Sequence, residues 1–286
     1  MTELKQITVL GTGVLGSQIA YQSAYHGFDV VAYDINAEVI EKAKARFDSL
    51  AAAYKAENVE GAKEGKADEA LQRITYSYDL AEAVAKADLV IEAIPEDIAI
   101  KRDTYEKLAT VAPEHTVFAT NSSTLLPSDL KEFTGRPEKF LALHFANHVW
   151  VNNTAEVMGT ESTDPAVYRE VVEFAKNIGM VPIELKKEKA GYVLNSLLVP
   201  LLNAASDLLI DGIADPDMVD KTWRIGTGAP FGPFQIMDVV GLTTVYNISS
   251  QGGEKQREFA DYIKKNYIDE GKLGVAVGEG FYNYKS

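Results

Sequence analysis

The chain contains no cysteine. That excludes disulfides, thiolate metal ligands and a cysteine nucleophile. Histidine is scarce, with four in 286 residues, which argues against a zinc site. No apolar run approaches the roughly 20 residues that span a bilayer. The first ten residues, Met1-Thr-Glu-Leu-Lys-Gln-Ile-Thr-Val-Leu10, run straight into a strand pattern. They lack the basic-then-apolar order of a secretory signal, so a cytoplasmic location is expected. Basic residues are also in deficit. Lys and Arg number 28 against 42 Asp and Glu, a formal net charge of −14 at pH 7. Such a charge repels nucleic acid and anionic lipid, whose binding neutralises phosphates. Neither nucleic acid nor membrane is an expected partner. An anionic small molecule remains open, because local positive ends can still be built.

What is present is an ordinary globular composition, 46% hydrophobic and 24% charged, long enough for one large or two ordinary domains. Ile7-Thr-Val-Leu10 is a short apolar run, suited to a strand buried on both faces. Gly11-Thr-Gly13-Val14-Leu15-Gly16 follows and opens a helix that Gly27 stops. Asp29-Val-Val-Ala-Tyr-Asp34 is the second strand, and Asn36 caps the next helix. A lone G-x-G-x-x-G is weak evidence, and a purely structural glycine turn is the competing account. Here the glycines sit between strand and helix, and an acid, Asp34, ends the following strand. Each residue then has a physical task. Gly11 makes the tight turn. Gly13 lets backbone approach a pyrophosphate, which the helix N-terminus stabilises. Gly16 lets helix and strand pack closely. Asp34 accepts hydrogen bonds from ribose hydroxyls and repels a 2′-phosphate, so NAD is expected rather than NADP.

Residues 57–72 are charged and helix-favouring, with Gly61 and Gly65 as breaks. Lys55, Lys63, Lys66 and Arg73 read as a solvated face more readily than as phosphate ligands. Strands are expected over 73–78, 88–94, 116–121, 140–144, 155–158 and 181–185, with helices between. Glu96 and Ser123 fall at strand ends, where ligands of open parallel sheets sit. Beyond 186 the strand pattern stops. Residues 190–210 read as one long, deeply buried helix with a single interior Asn195, and 215–226, 232–250 and 254–269 as three more. The expected architecture is α/β: a Rossmann-like, doubly wound, mostly parallel sheet domain over 1–187, then an all-α domain over 188–286.

His144 and Glu156 lie twelve residues apart. A histidine that exchanges a proton needs a partner to fix its tautomer. Glu156 fits that role if the chain reverses between them, and Asn152-Asn153 suits a reversal because Asn tolerates left-handed backbone. Taken alone, the segment reads first as a surface histidine and an unrelated strand acid.

Wider motifs change that weighting. Gly11-Thr-Gly-Val-Leu-Gly16, Ile91-Glu-Ala-Ile-Pro-Glu96, Thr120-Asn-Ser-Ser-Thr-Leu125, His144-Phe-Ala-Asn147, Gly191-Tyr-Val-Leu-Asn-Ser-Leu-Leu-Val-Pro200, Gly228-Ala-Pro-Phe-Gly-Pro-Phe234 and Gly278-Glu-Gly-Phe-Tyr282 recur together. With them the chain resembles the NAD-dependent L-3-hydroxyacyl-CoA dehydrogenases, especially the short 3-hydroxybutyryl-CoA type, over nearly its whole length. The resemblance implies that His144 is the catalytic base, Glu156 its paired acid, and Ser123 and Asn195 the residues that hydrogen-bond the reacting oxygen. It implies that Glu96 and Lys101 lie near the nicotinamide-side ribose, and that Val14, Leu15 and Asn121 join Gly11, Gly13, Gly16 and Asp34 around the cofactor. It also implies a site in the cleft between two domains, and a homodimer formed by the helical one.

Departures fall in two places. The family's His-Phe-Phe-Asn-Pro is His144-Phe-Ala-Asn-His148 here, and Trp150, Asn152 and Thr154 replace residues that are commonly apolar. The family's basic pair before the terminal Gly-x-Gly-Phe-Tyr is Val275-Ala-Val277 here. The loop between base and acid is expected to face the substrate. The expected substrate is a short-chain 3-hydroxyacyl-CoA. The alternatives are a free polar 3-hydroxy acid, as for gulonate or carnitine dehydrogenases, or a protein that binds NAD without turnover.

Overall fold

The computed structural model describes residues 4–285. The expectation for the first three residues lies outside them. Aliphatic and β-branched runs build eight strands: β1 (Gln6–Leu10), β2 (Asp29–Tyr33), β3 (Ile74–Ser77), β4 (Leu89–Glu92), β5 (Val117–Thr120), β6 (Phe140–Phe145), β7 (Thr154–Gly159) and β8 (Val181–Glu184). They form one sheet in the order β3-β2-β1-β4-β5-β6-β7-β8. All pairings are parallel except β6 with β7. The first six strands have the order of a doubly wound nucleotide-binding sheet, and β7 and β8 extend it. The helices are α1 (Val14–Tyr25), α2 (Ala37–Ala56), α3 (Ala67–Gln72), α4 (Leu80–Val84), α5 (Ile98–Val111) and α6 (Pro165–Asn177) among the strands. After them come α7 (Leu194–Ile210), α8 (Pro216–Thr227), α9 (Pro233–Val240), α10 (Leu242–Ser249) and α11 (Glu254–Asn266). The chain divides into two compact units, Met1–Val193 and Leu194–Ser286.

Strand alternation sorts side chains into two layers in the first unit. Ile7, Val9, Leu89 and Ile91 join one buried cluster with Ile19 and Tyr21 of α1 and Phe47 of α2. Leu10 and Val90 join the other, with Tyr105 and Leu108 of α5. By the same alternation Glu92 ends β4 on the α5 side. In β6 the odd residues Leu141, Leu143 and Phe145 bury in the first cluster, each worth about 1.5–3 kcal/mol over exposure. This turns Ala142 and His144 to the opposite face. Asn36, Asp97, Asp164 and Asp215 cap α2, α5, α6 and α8 by accepting from first-turn amides, as such residues do at N-caps.

Three expectations are corrected. The helix expected over 190–210 begins at Leu194, because Gly191 and Tyr192 both take positive φ, 80° and 50°, which a right-handed helix cannot contain. That helix is not deeply buried in the chain, since Ala205 and Ser206 are its only buried residues. The single helix expected over 232–250 is two, α9 and α10, broken at Gly241 with φ 93°. The helical unit closes over Phe234, Met237, Leu242, Phe259 and Ile263. Among the described residues no helix is long and apolar enough to cross a membrane.

Candidate active site

The site is built where β1, β4, β5 and β6 end. Gly11 leaves β1 at φ 93°, and a Cβ there meets the Ala93 carbonyl at 2.5 Å. A Cβ on Gly16 lands 2.0 Å from the Gly11 carbonyl. Neither position admits a side chain. Gly13 differs: a Cβ there meets nothing within 4 Å. It is the N-cap of α1, whose first turn carries no acidic residue. Helix amides that lack internal acceptors therefore border open space, the arrangement that stabilises a phosphate. Asp34 follows β2, and its Oδ2 accepts from the Thr12 amide at 2.7 Å and the Thr12 hydroxyl at 2.6 Å. Gly13, Val14, Leu15, Gly16, Glu96, Lys101, Asn121 and Ser123 line a cavity of about 330 Å³ together with Ala93 and Ile94. Helix terminus, acid and cavity together fit the dinucleotide.

Ser123 lies beyond the β5 end, and His144 lies in β6. The antiparallel register sets Glu156 of β7 directly opposite His144. His144 is 5% and Glu156 3% exposed. The imidazole Nδ1 lies 3.0 Å from Glu156 Oε2, and Nε2 lies 3.0 Å from Ser123 Oγ. An ionised carboxylate only accepts, so Nδ1 carries the proton and Nε2 keeps its lone pair toward the serine hydroxyl. The other Glu156 oxygen accepts the Val193 amide at 2.9 Å. Tyr192 lies flat against the imidazole, with ring centres 4.4 Å apart and planes 8° apart. Burial, with the Glu156 carboxylate beside it, pushes the Tyr192 hydroxyl well above its ordinary value. It stays neutral and donates to the Ser122 carbonyl at 2.8 Å. Its left-handed backbone, which ended the expected helix, is what lays the ring on His144.

Beneath the cavity lies a buried polar network. Glu92 is 0% and Lys101 1% exposed. Glu92 Oε1 accepts from the Lys101 ammonium and the Ile94 amide, and Oε2 from the Thr120 and Tyr105 hydroxyls. Lys101 also lies 3.3 Å from Glu96. Burial alone raises the Glu96 carboxyl, but hydrogen bonds from Ser122 and Thr124 and the charge of Lys101 outweigh it and hold the group at about 2.

The chain from His144 to Glu156 reverses through residues 146–153, with a different left-handed residue from the one expected. His148 takes φ 66°, and neither Asn152 nor Asn153 has positive φ. Several of the loop's side chains are engaged within the protein. His148 Nε2 and the Trp150 indole N–H both reach Glu57 Oε2 at 2.8 Å, and Asn152 donates to the Asn147 carbonyl. The substrate-facing expectation for His148 and Asn152 therefore meets side chains already partnered elsewhere. Lys55 and Arg73 pair with Asp68 and Asp29, as a solvated face does.

Comparison with known proteins adds the rest. Residues 6–189 match the family model described as 3-hydroxyacyl-CoA dehydrogenase, NAD binding domain. Residues 191–284 match that of the 3-hydroxyacyl-CoA dehydrogenase C-terminal domain. The chain belongs to the 3-hydroxyacyl-CoA dehydrogenase family. It is 35% identical to the human mitochondrial hydroxyacyl-coenzyme A dehydrogenase over 289 residues, 99% of this chain and 92% of that protein. Among solved structures it is similar to a diketoreductase of dicarbonyl compounds, at 70% identity and TM-score 0.96, covering 99% of this chain and 100% of that one. It is also similar to (S)-3-hydroxybutyryl-CoA dehydrogenase from Ralstonia eutropha, at 28% identity and TM-score 0.81, covering 99% and 100%.

As a member of the 3-hydroxyacyl-CoA dehydrogenase family, the chain is an NAD-dependent oxidoreductase. Of its family-matched positions, Ser123, His144 and Glu156 form one hydrogen-bonded row. Asn121 lines the cavity, and its side-chain oxygen accepts the Phe145 amide at 3.0 Å, tying β5 to the strand that carries His144. Asn195 stands in the first turn of α7, in the second unit. Sequence reasoning missed Thr12, Glu92, Ser122, Thr124 and Tyr192. All five lie in or beside the recurring motifs, but each is a small or common residue whose partner is distant in sequence.

Proposed function

We propose that this protein transfers a hydride between NAD and the 3-hydroxyl or 3-keto group of a small carbonyl compound, with the His144–Glu156 pair as general base. The observation that carries this reading is the row Ser123–His144–Glu156, which runs from the lining of the glycine-edged cavity to a buried carboxylate. Bound NAD supplies the hydride acceptor. Gly13 to Gly16 would hold its pyrophosphate, and Asp34 and Glu96 its two riboses. His144 Nε2 takes the hydroxyl proton, and Glu156 stabilises the resulting imidazolium through Nδ1–H. In the reducing direction the same nitrogen returns the proton to the keto oxygen. Ser123 orients that oxygen.

A 3-ketoacyl-CoA is itself a 1,3-dicarbonyl, so two substrate classes share this chemistry. A compound without coenzyme A is favoured by the 70% identity to a diketoreductase. Val275 and Val277 also favour it, being exposed where the family resemblance calls for cations. A short-chain 3-hydroxyacyl-CoA is the second reading, favoured by the family models. The protein is read as cytoplasmic and as a homodimer through its helical unit.

The test is NADH consumption by the wild type and His144→Gln on acetoacetyl-CoA, a free 3-keto acid and a simple 1,3-diketone ester in parallel. Turnover of the CoA-free substrates with little on the thioester supports the favoured class, and the reverse supports the second. NADH binding without turnover on any substrate would make the protein a non-catalytic NAD binder and end this reading.

A further inference from the structure

Ser123 carries its hydroxyl on a turn, and a turn after a strand has no ladder of its own to hold it. The groups on either side of it are gripped by one atom. Glu96 Oε1 accepts the Ser122 hydroxyl at 2.5 Å, the Thr124 amide at 2.8 Å and the Thr124 hydroxyl at 2.8 Å. Ser123 is the residue between them, and its own hydroxyl is left for His144. Glu96 in turn faces Lys101 through its other oxygen, and Lys101 is anchored on the fully buried Glu92. A carboxylate with three donors on one oxygen is rigidly set, because charge-assisted hydrogen bonds are the stronger kind.

We propose that Glu96 is a positioning residue for Ser123, a carboxylate clamp that closes on both neighbours of the serine and holds its hydroxyl on His144. This is a role apart from contact with a cofactor ribose. It rests on the reading of Ser123 as the residue that orients the reacting oxygen. Glu92 and Lys101 act one step further back by fixing the direction of the clamp. A displacement of about 1 Å at Ser123 is enough to cost on the order of a hundredfold in rate.

A double-mutant cycle with Ser123→Ala tests it, with kcat and the NADH dissociation constant measured separately. Glu96→Ala should lower kcat by roughly tenfold to a hundredfold in the wild-type background. In the Ser123→Ala background it should cost no more than about twofold further, the additivity error of such cycles. Glu96→Gln keeps one acceptor oxygen and should retain more activity than Glu96→Ala. If Glu96→Ala does not fold, as judged by a melting curve, Glu96→Gln carries the same cycle. Equal losses in both backgrounds, or a loss seen only in NADH affinity, overturn the clamp while leaving Ser123 its role. Full activity of Ser123→Ala removes that role and the clamp with it.

Discussion

At the scale of single residues, the site depends on which oxygen faces which donor. Glu96 shows this in its titration. Its carboxyl is held at about 2, below the ordinary 4.5. A depressed native pKa means the unfolded chain binds the proton more readily, so the ionised clamp stabilises the fold above about pH 4.5 and loses that effect as pH falls toward 2. Glu96→Gln does not titrate. The melting-temperature gap between wild type and Glu96→Gln should be widest near neutral pH and close through that acid window. A gap that stays constant from pH 7 to pH 3 would contradict the hydrogen-bond pattern. Much at this scale was legible in the sequence. The tight turn at Gly11 and the close packing at Gly16 could be assigned because those tasks are local. The roles of Ser122, Thr124 and Tyr192 were not legible. A serine beside a serine carries no sign of which hydroxyl turns inward, and only the fold brings Glu96 to them.

At the scale of elements, β6 and β7 matter most. An antiparallel pair sets residues directly across from each other, and a slip of one residue would send Glu156 to the other face. The sequence spacing of His144 and Glu156 suggested a reversal. What fixes the register is the loop, with His148 in the left-handed region and the His148 amide held by Gln18. An asparagine pair looked better suited to the turn, but a histidine stabilised by Glu57 and Trp150 takes it instead. Helix α5 is the other decisive element, since it brings Lys101 to the end of β4. Lys101→Met leaves Glu92 charged and buried without its ammonium, a loss of about 3–5 kcal/mol. The double variant with Glu92→Leu should recover much of that. Denaturant melts of the single and double variants check it, and equal stability of wild type and Lys101→Met would show that the pair carries no such weight.

At the scale of the whole molecule, the sheet unit was readable because its elements alternate and its strands are short, apolar runs. The helical unit was less so. Its longest helix is apolar enough to suggest full burial, yet Leu197 is 71% and Ile225 of α8 76% exposed in the single chain. A dimer interface over these helices would cover such residues, and composition cannot distinguish burial within a chain from burial between chains. The dimer reading predicts that sedimentation gives twice the 31.3 kDa chain mass and that Leu197→Glu shifts the protein toward monomer. A monomeric wild type at micromolar concentration contradicts it.

In the proposed function His144, oriented by Glu156, moves the proton while the rest of the cavity binds NAD. The most direct measurement is kcat of His144→Gln beside its NADH dissociation constant. The expected result is a loss of roughly 10²–10⁴-fold in kcat with NADH binding close to wild type. Near-full turnover by His144→Gln would contradict it.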